Sequence, residues 1–398
     1  MEVLLVGPDR ARPQVCGDDI VTRLLLAHPP AGVRYTHHAA ALEQGRICRA
    51  HWGRAWLASL VMHSRPPAGV PYAWGPLPPL PYRLLGKLLP DRPDEDIQWL
   101  GLRPGHGFDL VHAWDYPVQL GPARGRPPVV LHVGTGNTDL IANYYHLPPD
   151  LHARLARRDT WLLRRLGVLH DLYSTREAAA VVVPSRYAWA LHRAAGVPEA
   201  KLRVIRIGLD APADEVLGAG RDPCVCRFTL VGHQLWRKGG RALLEAFDRV
   251  RRSHPEARLT LVSAVAPEDL GIDPAGVTIH PQLSREAIYR DIYPATDVFV
   301  LPSRAEGYGM AAVEAMGFGL PVIATRISAL QELVEDEVTG LLVPPDDPAQ
   351  LAAAMARLLE DATLRARLGA AGRNAFLTQH EIGACQAALR GVYDEALA

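Results

Sequence analysis

The sequence predicts an α/β protein of two doubly wound domains, each built on a parallel sheet. Short apolar runs alternate with longer amphipathic stretches along the chain, the pattern of strands joined by crossover helices. At 398 residues the chain is too long for one ordinary core and suits two of roughly 200. Near its middle lies GLDAPADEVLGAGRDP, Gly208–Pro223, rich in turn formers and poor in large apolar residues, as expected of a hinge.

In chain order, the first half offers strand-like runs at Val3–Val6, Leu110–Ala113, Val129–Val133, Ala180–Pro184 and Leu202–Ile207. The second offers Phe228–Val231, Leu259–Val262, Val277–His280, Val298–Leu301, Val322–Ala324 and Leu341–Val343. Helices are expected over Asp150–Tyr173, Gly240–Ser253, Ser284–Tyr293 and Pro348–Glu360. The Pro-rich stretch Arg65–Pro81 reads as an irregular loop or lid inside the first domain. The predicted domains are residues 1–208, residues 209–380, and a C-terminal helix over 381–398 that packs back on the first domain.

Composition excludes several classes. With 48% hydrophobic and 22% charged residues the chain is of the globular type. Its longest apolar runs, such as Ala55–Met62, fall short of the ~20 residues of a membrane span. The N-terminal MEVLLVG has no basic region and passes straight into a strand-like run, so no signal peptide and a cytoplasmic location are expected. Five scattered cysteines, with no companion His cluster, read as free thiols. Net charge is zero, yet residues 1–208 carry eight more basic than acidic residues and the remainder the reverse. Solvated arginines account for this imbalance; peripheral contact with the inner face of a membrane through the basic half stays open. No nucleic acid partner is expected.

The chemistry concentrates in PSRAEGYGMAAVEAMGFGLPVIAT, Pro302–Thr325. A buried strand runs into a loop carrying Glu306, and a helix then enters the core through Ala311, Val313 and Ala315, with Glu314 on it. Gly307 and Gly309 bare the backbone between the two carboxylates. Exposed N–H groups at a helix start attract an anion, and carboxylates accept hydrogen bonds from hydroxyls. A ligand with both features, such as a sugar nucleotide, fits. A second segment, FTLVGHQLWRKGGRALLEAFDRV at Phe228–Val250, places Arg237 and Lys238 just before a helix that starts at Gly239–Gly240. Cations followed by a helix N-terminus suit a diphosphate.

Taken together, the VGxxxxRKG segment, HPQLSREAIYRDIYPATDVFVLPSRAEGYG, the E-x7-E pair, GFGLPVIAT and TGLLVPPDDPAQLAAAMARLL resemble glycosyltransferase family 4 from Phe228 to about Gly369. DLVHAWD, PVVLHVGTGN and AAAVVVPSRYAWALHRAAGVPEAKLRVIRIGLD in the first half are compatible with that family. The resemblance implies the GT-B architecture, two Rossmann-like domains facing a cleft. It also implies a retaining, metal-independent transfer from a nucleoside diphosphate sugar, UDP- or GDP-linked, to a hydroxyl acceptor: a glycan, a lipid-linked glycan or a small molecule. The alternative is a GT-B protein that hydrolyses or epimerises its ligand.

By the same resemblance, Glu306 holds the donor sugar's hydroxyls, with backbone N–H groups of Gly307, Tyr308, Gly309 and Met310 around it. Glu314 binds the ribose hydroxyls, and Lys238 with Arg237 clamps the diphosphate. His132 contacts the donor sugar, and His280–Leu283 lies against the base. The sequence departs from the family where Arg is usual and His233 stands, with Arg237 able to supply that charge. The early glycine pair is not cleanly present in GPDRARPQVCGDD, where Gly7 and Gly17 are the candidates. Asp94–Asp96 is a literal D-x-D, but in proline-flanked PDRPDEDIQW it reads as a surface acidic run, and no metal or other cofactor is expected. No P-loop, Ser-His-Asp set or complete dinucleotide fingerprint occurs, since GTGNTD at Gly134–Asp139 lacks the third glycine. Tyr144, Tyr145 and His146, with the loop after Arg65, are the candidate acceptor contacts.

Overall fold

The computed structural model describes residues 1–7, 17–49, 98–114, 118–120, 126–134, 178–194, 196–219, 221, 225–264, 275–281 and 283–398. The expected helix at Asp150–Tyr173, the loop Arg65–Pro81, Asp94–Asp96, Gly134–Asp139 beyond Gly134, and the candidate acceptor contacts lie outside these residues. Two compact units divide the chain. The first takes it up to Ile205, apart from a short stretch ending at Gly17, and again from Gln386 to Ala398; the second holds Arg206–Cys385.

The first unit contains β1 (Glu2–Val6), α1 (Gly17–Ala27), β2 (Arg34–His37), α2 (His38–Glu43), β3 (Ile47–Arg49), β4 (Gln98–Leu102), β5 (Leu110–Trp114), β6 (Val118–Leu120), β7 (Val129–His132), β8 (Ala180–Val183), α3 (Arg186–Ala194) and β9 (Leu202–Val204). Its main sheet has the order β2-β1-β5-β7-β8-β9 and every pairing in it is parallel. Strands β5 and β8 are buried throughout, as parallel strands are when elements cover both faces. One face is apolar, with Leu4, Val6, Val111, Ala113, Leu131, Val181 and Val183 in a single cluster. Because successive residues alternate between faces, the opposite face receives Tyr35, Leu5, His112, Trp114 and His132. A small sheet β3-β4-β6 accompanies it; the three-residue strands β3 and β6 carry too little alternation to be seen in sequence.

The second unit contains β10 (Arg227–Val231), α4 (Gly240–Ser253), β11 (Arg258–Val262), β12 (Val277–His280), α5 (Arg285–Ala287), β13 (Val298–Leu301), α6 (Met310–Gly317), β14 (Val322–Thr325), α7 (Leu330–Leu333), β15 (Gly340–Val343), α8 (Pro348–Glu360) and α9 (Ala362–Gln379). Its sheet runs β12-β11-β10-β13-β14-β15, again parallel throughout. Phe228, Leu230, Leu259, Leu261, Val300 and Ile323 from the strands pack with Leu243, Phe247, Met355 and Leu358 from α4 and α8. Asp347 caps α8 by accepting from the N–H groups of Ala349 and Gln350 at 3.1 and 3.0 Å, with Pro348 in the first turn. A last helix, α10 (Ile382–Leu397), begins in the second unit and continues into the first.

The strand runs read from the sequence agree with these elements to within three residues at either end. Two expectations are corrected. The helix expected over Ser284–Tyr293 is regular only for α5, then widens to a π-turn at Ile288–Ile292; such turns are frequent at functional sites. The buried face of α6 is Ala312, Val313, Ala315 and Met316, while Ala311 is only half-buried.

Candidate donor site

In the second sheet the strand order turns back between β10 and β13: β11 and β12 lie on one side, β14 and β15 on the other. Loops leaving the ends of two such strands diverge and open a crevice, the usual ligand position in a doubly wound sheet. The loop after β10 carries His233, Arg237 and Lys238; the loop after β13 carries Glu306 to Gly309.

Gly239 joins these loops. It has φ +79°, and a Cβ there would stand 1.8 Å from the carbonyl oxygen of Pro302, so only glycine lets the first loop settle on the end of β13. Arg304 N–H then donates to the carbonyl of Arg237 at 3.0 Å. The Arg237 guanidinium donates to the carbonyl of Ala305 at 2.6 Å and stands 3.8 Å from Glu306 Oε1. Lys238 Nζ donates to Glu306 Oε2, which also accepts from Ser303 Oγ at 3.2 Å. Thr325 Oγ1 holds the Ser303 carbonyl at 2.6 Å.

Lys238 and Glu306 are both buried. Burial pushes the Glu306 carboxyl up, but Lys238, Arg237 and the Ser303 hydroxyl outweigh it and hold it below the ordinary range. Burial, with Arg237 adjacent, pulls Lys238 down from its ordinary value against the opposing Glu306. Two cations on one carboxylate leave a positive excess, which equips the cluster for an anion.

The helix after this loop starts without a side-chain cap. Gly309 has φ +104° at the N-cap of α6, and a Cβ on it would meet Leu330 Cδ2 at 2.6 Å. The Tyr308 side chain is buried with its hydroxyl 3.3 Å from His380 Nδ1, so what it turns to the loop is backbone. Gly307 and Met310 are half-buried beside it. Glu314, two turns into α6, is also buried. Its Oε1 accepts from Arg285 Nε at 3.0 Å and its Oε2 from the Tyr293 hydroxyl at 2.8 Å. Arg285 continues to the Tyr289 hydroxyl at 2.6 Å, its guanidinium carbon 4.4 Å from that ring. Burial and the Glu314 charge raise both tyrosines far above their ordinary value, keeping them proton donors. Burial opposes the charge on Arg285, but Glu314 and Tyr289 outweigh it and raise its pKa.

The remaining candidates stand apart from these two clusters. His233 is exposed, its carbonyl accepting from Ser263 Oγ at 3.3 Å. His280 closes β12, and its carbonyl accepts from Ser263 N at 3.0 Å. In the first unit, Gly7 follows β1, where a Cβ would sit 2.6 Å from Thr22 Oγ1 of α1, and Gly17 opens that helix. His132 ends β7, buried, with its ring 4.0 Å from Trp114 and 5.7 Å from His112, nearly parallel to the latter. Burial, and then His112, push its pKa well below the ordinary 6.5. Among the described residues neither of its ring nitrogens has a hydrogen-bond partner. In the same set no three His, Cys, Asp or Glu side chains are grouped to hold a metal, and no helix is long and apolar enough to cross a membrane.

Sequence reasoning missed Arg285, Tyr289 and Tyr293, which hold Glu314, and Ser303, which holds Glu306. Arg285, Tyr289 and Tyr293 recur at intervals of four, the spacing of one helical face, and that signal was available. Ser303 lies three residues before Glu306 in a loop and gave none.

Comparison with known proteins agrees with this layout. A family model for glycosyl transferases group 1 matches residues 226–361, and one for glycosyltransferase family 4 matches residues 48–211. A D-inositol 3-phosphate glycosyltransferase of Saccharomonospora viridis is 33% identical over 193 residues, 44% of this chain and 44% of its own. One from Acidothermus cellulolyticus is 31% identical over 257 residues, 60% of this chain and 53% of its own. The chain thus spans about half the length of these curated relatives. A sucrose-phosphate synthase from Thermosynechococcus elongatus superposes with a TM-score of 0.64 at 20% identity, over 99% of this chain and 98% of that one. Anabaena HepE, solved with UDP and glucose, gives 0.61 at 16%, over 98% of both. These likenesses show the fold, the GT-B type with two parallel-sheet α/β domains. The chain belongs to the group 1, family 4 glycosyltransferases.

Proposed function

We propose that the protein transfers a glycosyl group from a nucleoside diphosphate sugar to a hydroxyl acceptor, with retention of configuration and without a metal ion. The observation that carries this is the joining, at the β10/β13 crevice, of Lys238 and Arg237 to Glu306 beside an uncapped helix start. Breaking a sugar–diphosphate bond builds positive charge at the anomeric carbon and negative charge on the departing phosphate. Lys238, Arg237 and the N-terminal dipole of α6 stabilise the second, in the place where other transferases use a divalent cation. Glu306, kept ionised by its cationic neighbours, stabilises the first and accepts hydrogen bonds from the sugar. Glu314, with Arg285 and Tyr293 fixing both oxygens, retains lone pairs for the ribose hydroxyls. His132, neutral and with its ring nitrogens unpartnered among the described residues, contacts the donor sugar. The acceptor attacks on the face the diphosphate leaves, and the departing phosphate oxygen takes its proton, so no separate general base is required.

A thermal-shift panel of UDP-, GDP-, ADP- and dTDP-sugars identifies the donor. Nucleotide release that depends on an added hydroxyl acceptor supports transfer, whereas equal release without one points to hydrolysis or epimerisation. Glu306→Ala and Lys238→Ala should each abolish turnover in protein that remains folded by circular dichroism. Near-normal turnover in folded Lys238→Ala would remove the phosphate-clamp assignment.

A further inference from the structure

The polar face of the first sheet holds a connected set of aromatic groups beyond His132. Parallel register puts Tyr35 of β2, His112 and Trp114 of β5, and His132 of β7 on that face. A parallel sheet covered on both sides is normally apolar on both, yet His112 is 0% exposed and His132 4%. The C-terminal helix α10 brings in Tyr393, fully buried. Its hydroxyl is bonded to His112 Nδ1 and lies 2.6 Å from the Tyr35 hydroxyl. Its ring meets His112 edge-on at 5.7 Å. His112 in turn lies parallel to His132, 8° between planes.

His132 has no hydrogen bond to a described residue to orient it, so its ring direction rests on packing against Trp114 and His112. Trp114 is its register partner on β5 and covers one side. His112 is the adjustable side, because an imidazole can rotate about its terminal bond. The bond from Tyr393 removes that freedom: a rotated His112 would leave its buried Nδ1, like its Nε2, without a partner among the described residues.

We propose that Tyr393 is a positioning residue for His132, acting through His112, so that the C-terminal helix sets the orientation of a donor-contacting side chain. This rests on the reading that His132 contacts the donor sugar. Tyr393→Phe keeps the ring against His112 and removes the hydroxyl, with its bonds to His112 and Tyr35. In ligand-free full-length protein with 13C-labelled histidine, the His132 ring signals should move or broaden in Tyr393→Phe. With the donor selected by the thermal-shift panel, kcat should fall about three- to tenfold with KM changed less, the size of one buried hydrogen bond. His112→Gln keeps a partner for Tyr393 but removes the flat ring, and should lose as much. Adding Tyr393→Phe to His112→Gln should change little further.

Unmoved His132 signals with normal kcat in Tyr393→Phe overturn the proposal, as do fully additive losses in the double variant. If Tyr393→Phe does not fold, the same two readouts on His112→Gln decide it. An inactive His132→Ala beside a normal Tyr393→Phe sinks the positioning role alone. A fully active His132→Ala removes the donor-contact reading itself.

Discussion

Lowering the pH from 7.5 to 5.0 should destabilise this protein through histidines that are buried without charge. Burial pushes His112 down to about 3 from its ordinary 6.5. The unfolded chain takes up a proton near 6.5 and the folded one does not until about 3, so the unfolded state binds more protons between those values. Stability therefore rises with pH across that window; it is fully present above the unfolded value and lost as pH falls toward the folded one. For one such histidine the loss between pH 7.5 and 5.0 is roughly 2 kcal/mol. His132 is held low by burial and by His112, so its protonation opposes folding in the same direction. The His112 contribution alone is a sizeable part of the roughly 5–15 kcal/mol typical of a whole domain. Urea unfolding of the parent and of His112→Phe at both pH values tests this. The mutation's own cost cancels in the comparison within each protein, and the variant should show a pH effect smaller by about 2 kcal/mol. An identical pH effect in both would refute the argument that His112 is held neutral by burial.

In the second unit, burial and Arg206 push His380 down to about 4, against the Ile207 carbonyl. A His380→Phe variant should flatten acid destabilisation there by roughly 2 kcal/mol, read from the same titrations. Lys238→Met or Glu306→Gln alone leaves a buried partner uncompensated and should cost about 3–5 kcal/mol, while the double variant costs less than the sum; urea midpoints report this. Gly239→Ala forces a methyl group onto the Pro302 carbonyl at a positive φ and should cost at least about 2 kcal/mol, abolishing the thermal shift given by nucleotide. Arg285→Ala frees one Glu314 oxygen and should weaken nucleoside diphosphate binding roughly tenfold or more by calorimetry.

What the sequence made legible was what short-range chemistry dictates. Fully buried strands such as VFVL at β13 and VIAT at β14 announce themselves as apolar runs. Glu306 and Lys238 were legible because glycines flank them, and glycine marks where backbone must bend or approach closely. Their direct bond was not, since it joins residues 68 apart in sequence and depends on β10 and β13 being neighbours. Tyr393 was less visible still: its partner His112 lies 281 residues away, and a tyrosine in a terminal helix looks like ordinary core. The π-turn at Ile288–Ile292 has no local signature in IYRDI; it appears where Tyr289 and Tyr293 must both face the Arg285–Glu314 pair.

The two loops at the β10/β13 crevice repeat one construction with opposite charge. Each leaves a parallel strand and ends at a glycine in the left-handed region, Gly239 at φ +79° and Gly309 at +104°. Each then opens a helix with no side-chain cap. An uncapped start leaves first-turn N–H groups able to serve a ligand, and the glycine keeps any Cβ out of the approach. The first loop supplies the cations and the second the carboxylate, and the two meet as an ion pair. A diphosphate drawing Lys238 and Arg237 toward itself would release the Glu306 oxygens that they and Ser303 now occupy, turning them to the sugar. Donor binding and the exposure of Glu306 would then be a single event. Ser303→Ala tests this, because it removes a neutral donor on Oε2 without touching the cations. If the exchange is right, donor affinity should change less than threefold, and kcat should respond more than KM.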